Sequence, residues 1–498
     1  MGEDRRKNDT KDSAGDSGEK KDQKIRMLGL KPVETTHEIE IDGETVSYIA
    51  RAGVIPLKDD EGETRAEVFF TAYESDDAEE PAERPLTFVF NGGPGSSSIW
   101  LHMGALGPRR VVMEPKGWMP APPYRSAPNA DTWLGKTDLV FVDPVGTGFS
   151  RPAKKTGYKD FLNYKGDIES VGEFIRLYLS RYGRWSSPLF LAGESYGTTR
   201  AAGLAEDLFG HGVAFCGIVL ISTALDLRPI FFRGGDDLPY QLFVPTYTAT
   251  AWYHRKLAPE LQQRDLPELL EEVEEWAESE LTVALMKGDR LEEAESRRIA
   301  GRLAAYTGLS EDYVLGSNLR LHNSRFRRQL LRGERRSVGR LDSRYTGIEP
   351  LGVTETPQFD PSMTAIRPPY TSVFNDYLRR ELRVDTDMEY TVMMRREGDT
   401  GWEWDKGELP ATGEKLRLAM AANPHMRVMV AQGHYDLATP QLATRYMLSH
   451  MNVDGELRGN VSLRYYRAGH MFYLDTEALA AFGADAAEFI GAASRPKT

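Results

Sequence analysis

The sequence predicts an α/β fold in which a mostly parallel central sheet is flanked by helices and a largely helical cap is inserted between its later strands. Three observations lead there. Short apolar runs at residues 86–90, 139–142, 189–192, 218–221, 427–430 and 461–465 read as buried strands with glycine-rich carboxyl ends, where ligands bind in such sheets. Between about residues 225 and 413 the strand signals thin out and long charged helical patterns replace them. Gly193-Glu194-Ser195-Tyr196-Gly197 lies between an apolar run bounded by Ser187-Pro188 and a helix-forming run, the setting that projects a serine from a strained strand-to-helix turn.

Taken in order, residues 1–24 hold almost no large apolar side chain and are expected to form a disordered tail. Residues 37–41 and 44–50 flank Asp42-Gly43, a two-residue hairpin signal, and 67–73 adds another strand, so the fold opens antiparallel. The core is expected over 25–224 and 414–498, with 225–413 as the inserted helical cap. In the cap, Leu269, Val273 and Trp276, and likewise Ile299, Leu303 and Tyr306, recur at i, i+4 and i+7, giving two helices one buried stripe each. The arginine-rich stretch 320–344 reads as a surface helix with local ion pairs. Leu479, Phe482, Ala486 and Phe489 predict a closing helix over 476–490.

Composition excludes several function classes. With 498 residues and 40% apolar content the chain can bury a large core, and a formal charge of −13 argues against a nucleic-acid partner, which needs a net basic face. No run approaches the roughly 18 apolar residues of a membrane span, and no apolar secretory core opens the chain, so a cytoplasmic location is expected as the chain stands. An exported form with its signal removed stays open, as does the oligomeric state. The single cysteine, Cys216, forbids an intramolecular disulfide and lies beside an apolar run that suggests a buried, inert thiol.

A serine hydroxyl is a weak nucleophile, so Ser195 needs a base, an acid to orient that base, and donors for an oxyanion. His470, in Ala468-Gly469-His470-Met471, follows the strand 461–465 and is the candidate base. His102 and His434 lie beside motifs and are candidates for a supporting role; the remaining histidines sit in polar or helical stretches. Asp436 follows the strand 427–430 and completes the chain order Ser, Asp, His expected of α/β-hydrolases. Asn91-Gly92-Gly93-Pro94-Gly95-Ser96-Ser97-Ser98 follows the strand 86–90, so the backbone N–H of Gly93 and that of Tyr196 are the candidate oxyanion donors. The turn lacks the Gly-Lys-Ser/Thr ending of a phosphate-binding loop.

These blocks, with Leu106-Gly107-Pro108, Asp143-Pro144-Val145-Gly146-Thr147-Gly148-Phe149-Ser150, Gly433-His434-Tyr435-Asp436 and Gly469-His470-Met471, resemble the serine carboxypeptidase family within the α/β-hydrolase fold. The resemblance spans residues 91–471 except the cap. It implies a triad of Ser195, Asp436 and His470, an oxyanion hole at Gly93 and Tyr196, and recognition of a substrate's terminal carboxylate by Asn91, Gly92 and Glu194. An amide, a backbone N–H and a neutral carboxylic acid can all donate to a carboxylate, whereas an ionised Glu194 would repel it. Three departures stand out. Ser96 occupies the place of a family cysteine, Ala105 that of a glutamate able to share a proton with Glu194, and His434 that of the first aspartate of Gly-Asp-x-Asp.

The expected activity is hydrolysis of the last peptide bond of a peptide with a free carboxyl terminus, through an acyl-enzyme on Ser195, with no metal and no organic cofactor. Acyl transfer to a non-water acceptor, or ester hydrolysis, is the alternative the same machinery allows. An aminopeptidase of this fold would carry histidine where Asn91 stands, and a non-catalytic peptide-binding protein would not need the full triad.

Overall fold

Asp42 and Gly43 take φ of 53° and 84°, the left-handed pair that a tight two-residue hairpin requires. They join β1 (Val33–Ile41) to β2 (Glu44–Lys58), with Ile41 opposite Glu44. β3 (Thr64–Ser75) continues the antiparallel ribbon on β2. The computed structural model describes residues 27–76, 80–394, 401–404 and 409–494, and the expectation for 1–24 lies outside them.

The remaining strands of the main sheet are β4 (Leu86–Phe90), β5 (Asp138–Val142), β6 (Leu189–Glu194), β7 (Gly217–Ile221), β8 (Arg427–Gly433) and β9 (Val461–Tyr466). They run in the order β1-β2-β3-β5-β4-β6-β7-β8-β9, and the two-residue Arg151–Pro152 strand beside β3 makes the sheet ten-stranded. From β5 to β9 every pairing is parallel. Both faces are buried, which is why these strands read as continuous apolar runs rather than as alternation. Val89, Phe190 and Ala192 face one core, while Phe88, Phe90, Leu189 and Leu191 face the other.

Two helices close on the second core: α1 (Tyr164–Arg181), capped by the Asn163 side chain on Gly166 N–H at 2.8 Å, and α2 (Tyr196–Gly210), which begins directly after Ser195. Beyond β7 come α3 (Val244–Tyr253), α4 (Leu266–Trp276) and α5 (Glu293–Thr307). Both stripes expected in this region, Leu269, Val273 and Trp276 with Ile299, Leu303 and Tyr306, meet in a third apolar cluster of their own. α6 (Pro361–Arg380) behaves differently. Its Ile366, Tyr370, Phe374 and Tyr377 join the first sheet core, beside Leu479 and Phe482 of the closing helix α7 (Thr476–Ala493).

The arginine-rich stretch is corrected by the structure. Arg327, Arg328 and Arg344 are buried, not solvated. Arg328 donates to the carbonyls of Leu351 and Gly352, and Arg344 bridges Asp342 and Asp475. Guanidinium forks here satisfy loop carbonyls and carboxylates that water cannot reach. Cys216 is half-buried at the entry to β7.

Candidate active site

The sheet register brings the site together. Phe90 pairs with Gly193 and Ile221 with both Glu194 and Ala431, so the loops leaving β4, β6 and β8 open at one edge. Ser195 stands at the β6–α2 junction with φ 59° and ψ −128°, the strained conformation expected of a projected nucleophile. Glycines make this junction possible. A Cβ on Gly193 would come within 2.2 Å of the Gly197 carbonyl oxygen, and one on Gly92 within 2.4 Å of Tyr196 N. Close approach of the Gly92-Gly93 loop to the first residue of α2 sets the N–H groups of Gly93 and Tyr196 beside the serine. Tyr196 N–H, in the first turn of α2, has no acceptor within its helix and lies at the helix's positive end.

The structure brings the candidate base and the candidate acid together. His470 Nδ1 donates to Asp436 Oδ2 at 2.7 Å, with both residues buried. Asp436 Oδ1 accepts from the N–H groups of Ala438 and Thr439 at 2.7 and 2.9 Å, and Oδ2 from Thr439 Oγ1 and Gln432 Nε2 at 2.6 and 3.3 Å. The carboxylate is therefore fully saturated and cannot rotate. Burial works against a charge on His470, yet the Asp436 carboxylate, its hydrogen bond and the field of Glu194 outweigh this and raise the imidazole above its ordinary range. Among the described residues no hydrogen bond joins Ser195 Oγ to His470, although both line one cavity. Such contacts commonly tighten only when substrate is bound.

Asn91, Gly92 and Glu194 gather in the same cavity as Ser195 and His470. Asn91 Oδ1 accepts from Leu101 N–H at 3.0 Å, which orients the amide so that Nδ2 donates to Glu194 Oε1 at 2.8 Å. Tyr473 OH reaches Glu194 Oε2 at 2.5 Å. Burial pushes the Glu194 carboxyl up to about 7; the charge on His470 and the bonds from Tyr473 and Asn91 oppose it. Glu194 is thus neutral in mildly acidic solution without a second carboxyl hydrogen-bonded to it. Ala105 is buried in the turn His102–Leu106, and the adjacent Gly104 is covered by Tyr370 and Tyr473, from which a Cβ there would lie 2.5 and 2.8 Å.

Several contributors escaped the sequence reading. Tyr473 lies three residues beyond His470, and Thr439 three beyond Asp436, where an aspartate-capped turn places it. Arg200, one turn into α2, is buried on Asp167 at 2.9 Å and donates to the Asn91 carbonyl at 2.8 Å, so it anchors the loop beneath the serine. Ser96, in the place of the family cysteine, accepts from Trp100 Nε1 at 2.9 Å. Backbone bonds from Ser97 N to Val392 O and from Met394 N to Gly95 O tie this loop to a distant segment without a disulfide. The two supporting histidines do not take part. His102 is buried against Phe141 and bonded to Tyr73 OH, and His434 stacks on Tyr465 and bonds Gln441.

Two cavities meet at Ser195. One, of about 260 Å³, holds Asn91, Gly92, Glu194 and His470 beside Trp100, Met363 and Met393. The other, of about 340 Å³, is lined by Tyr196, Leu227, Phe232, Trp404 and neighbours. Gly93, Pro94, Ser195 and Arg340 belong to both. A nucleophile at such a junction can divide a substrate into an acyl half and a leaving half.

Comparison with known proteins agrees with this architecture. Residues 44–216 match the family model for serine carboxypeptidase. Pheromone-processing carboxypeptidase KEX1 of Saccharomyces cerevisiae is 31% identical over 171 residues, 32% of this chain and 22% of that protein. Serine carboxypeptidase-like 33 of Arabidopsis thaliana is 32% identical over 150 residues, 30% and 29% of the two chains. The aligned stretch thus spans less than a third of the length of these curated relatives. The crystal structure of Kex1(Δ)p, a prohormone-processing carboxypeptidase from Saccharomyces cerevisiae, shares the fold at a TM-score of 0.54, covering 89% of this chain and 91% of that one at 16% identity. Residues 44–216 are thus similar in sequence to serine carboxypeptidases, and the described chain shares the α/β-hydrolase fold.

Proposed function

We propose that this protein is a serine carboxypeptidase that removes the terminal residue from peptides with a free carboxyl end. One observation carries the reading: Asn91 and Glu194, buried and hydrogen-bonded to each other with Tyr473 behind Glu194, open into the same cavity as Ser195 and His470. A general esterase has no need of donors for a second carboxylate beside its nucleophile. In the proposed reaction Ser195 Oγ attacks the last peptide carbonyl as its proton passes to His470 Nε2, and Asp436 holds the imidazole by Nδ1. The N–H groups of Gly93 and Tyr196 receive the oxyanion, and a single such donor is worth roughly 3 to 4 kcal/mol in the transition state. His470 then protonates the departing amine, and water, activated by the same imidazole, releases the acyl group.

This assignment fixes a pH dependence. Productive binding needs Glu194 protonated, below about 7, and attack needs His470 neutral, above its raised value. Because each group's charge favours the other's, the pair titrates together and activity follows a bell. In Glu194→Gln an amide N–H donates at every pH, and Tyr473 OH can accept its other bond. The alkaline limb of kcat/KM near 7 is therefore expected to disappear while the acid limb from His470 remains. An alkaline limb unchanged in the variant would remove Glu194 from carboxylate recognition.

A further inference from the structure

The carboxypeptidase reading places the departing residue, with its terminal carboxylate, in the cavity of Asn91, Gly92 and Glu194. The side chain of the penultimate residue then falls on the other side of Ser195, in the cavity of about 340 Å³. Its charged lining is one-sided. Among the described residues it contains Arg327 and Arg340 and no carboxylate. Both arginines lean on one external counter-ion, Asp360 Oδ2, at 3.7 and 3.9 Å, too long for hydrogen bonds. Asp360 Oδ1 is already engaged by Arg340 N, Ser362 N and Ser362 Oγ at 3.1, 3.1 and 2.6 Å. Arg327 Nε donates to Val338 O at 3.2 Å, whereas among the described residues no hydrogen bond within the protein occupies the guanidinium of Arg340. The rest of the wall includes Tyr196, Leu227, Ile230 and Phe232, which suits a methylene stem leading to a charged tip. Asn323, whose Oδ1 is buried without a partner, offers an acceptor suited to a peptide N–H.

We propose that this enzyme selects peptides with an acidic penultimate residue, glutamate above all, whose carboxylate is received by Arg340 and Arg327. The inference rests on the carboxypeptidase reading. Two guanidiniums sharing one distant carboxylate attract an anion through charge-assisted bonds, and they repel a lysine or arginine side chain entering the same cavity. Glutamate fits better than aspartate because its longer stem spans the apolar wall.

Four N-acylated dipeptides with a common terminal leucine and penultimate Glu, Gln, Lys or Phe provide the test, assayed for leucine release at one pH below about 7. The Glu peptide is expected to exceed its Gln isostere in kcat/KM by about tenfold, and the Lys peptide to fall about tenfold below Gln. Arg340→Gln should draw the Glu:Gln ratio toward one, and Arg340→Glu should make Lys the preferred substrate over Glu. Arg340 is about half-exposed, so these variants keep their fold; the wild-type Glu:Gln ratio and its decline with added salt test the same preference without them. Turnover of the Gln and Phe peptides with no advantage for Glu overturns this proposal alone. An advantage that survives in Arg340→Gln and in Arg327→Gln overturns the assignment to these arginines. No turnover of any of the four overturns the carboxypeptidase reading and this inference with it.

Discussion

Ser195→Ala is expected to lower kcat by roughly a million-fold, the scale at which loss of a triad nucleophile silences a serine hydrolase. Alanine accepts the same strained backbone at φ 59° no worse than serine, and Ser195 is only half-buried, so the fold and its melting temperature should be unchanged. No neighbouring hydroxyl can stand in. Thr198 Oγ1 is held by the Ser195 carbonyl at 2.7 Å, and Thr439 Oγ1 by Asp436. A fluorophosphonate probe should therefore label the wild-type protein at one serine and leave the variant unlabelled. Labelling of the variant, or turnover within tenfold of wild type, would place the nucleophile elsewhere.

Asp436→Asn should cost about 10⁴-fold in kcat at neutral pH. The direction follows from the hydrogen bonds. Asp436 Oδ1 accepts two backbone N–H groups, so the asparagine oxygen takes that side and its amide nitrogen turns toward His470 Nδ1. A donor facing Nδ1 forces the imidazole proton onto Nε2, which then cannot accept the proton of Ser195. The same nitrogen would also confront the donors Thr439 Oγ1 and Gln432 Nε2, so some loss of stability accompanies the loss of rate. Steady-state kinetics on the folded variant checks this, and a loss below about tenfold would show that Asp436 does not orient the base.

The sheet and the gathering of Ser195, Asp436 and His470 at its strand ends were legible because each is written in local signals. Buried parallel strands such as residues 189–192 and 218–221 are short apolar runs whatever surrounds them, and the register that unites Ser195, Asp436 and His470 follows from their place at strand ends. What was not legible depends on which distant segments pack together. Arg327 and Arg328 read as solvated because arginine usually is, yet loop carbonyls 336 to 352 fold around them and hold them inside. Nothing local to Tyr473 marks it for the site, and only the approach of β6 turns its hydroxyl into a partner of Glu194. The absence of a second carboxyl at Ala105 left the protonation of Glu194 undecided in the sequence. Burial first, with a smaller push from the Asp436 charge and with His470 close enough to oppose both, accounts for the rise to about 7. The composition of α6 likewise gave no sign that Tyr370 and Phe374 would pack with the sheet rather than with the preceding helices.

In the proposed reaction, donors from Asn91, Gly92 and Glu194 select a free carboxyl terminus at Ser195. Mass spectrometry of one peptide prepared both as the free acid and as the terminal amide tests it most directly. Stepwise loss of residues from the carboxyl end of the acid is expected and, for the amide, cleavage slower by about a hundredfold, as a site built for hydrogen bonds to a missing group demands. Equal rates on the two forms, or cleavage at internal bonds, would contradict it.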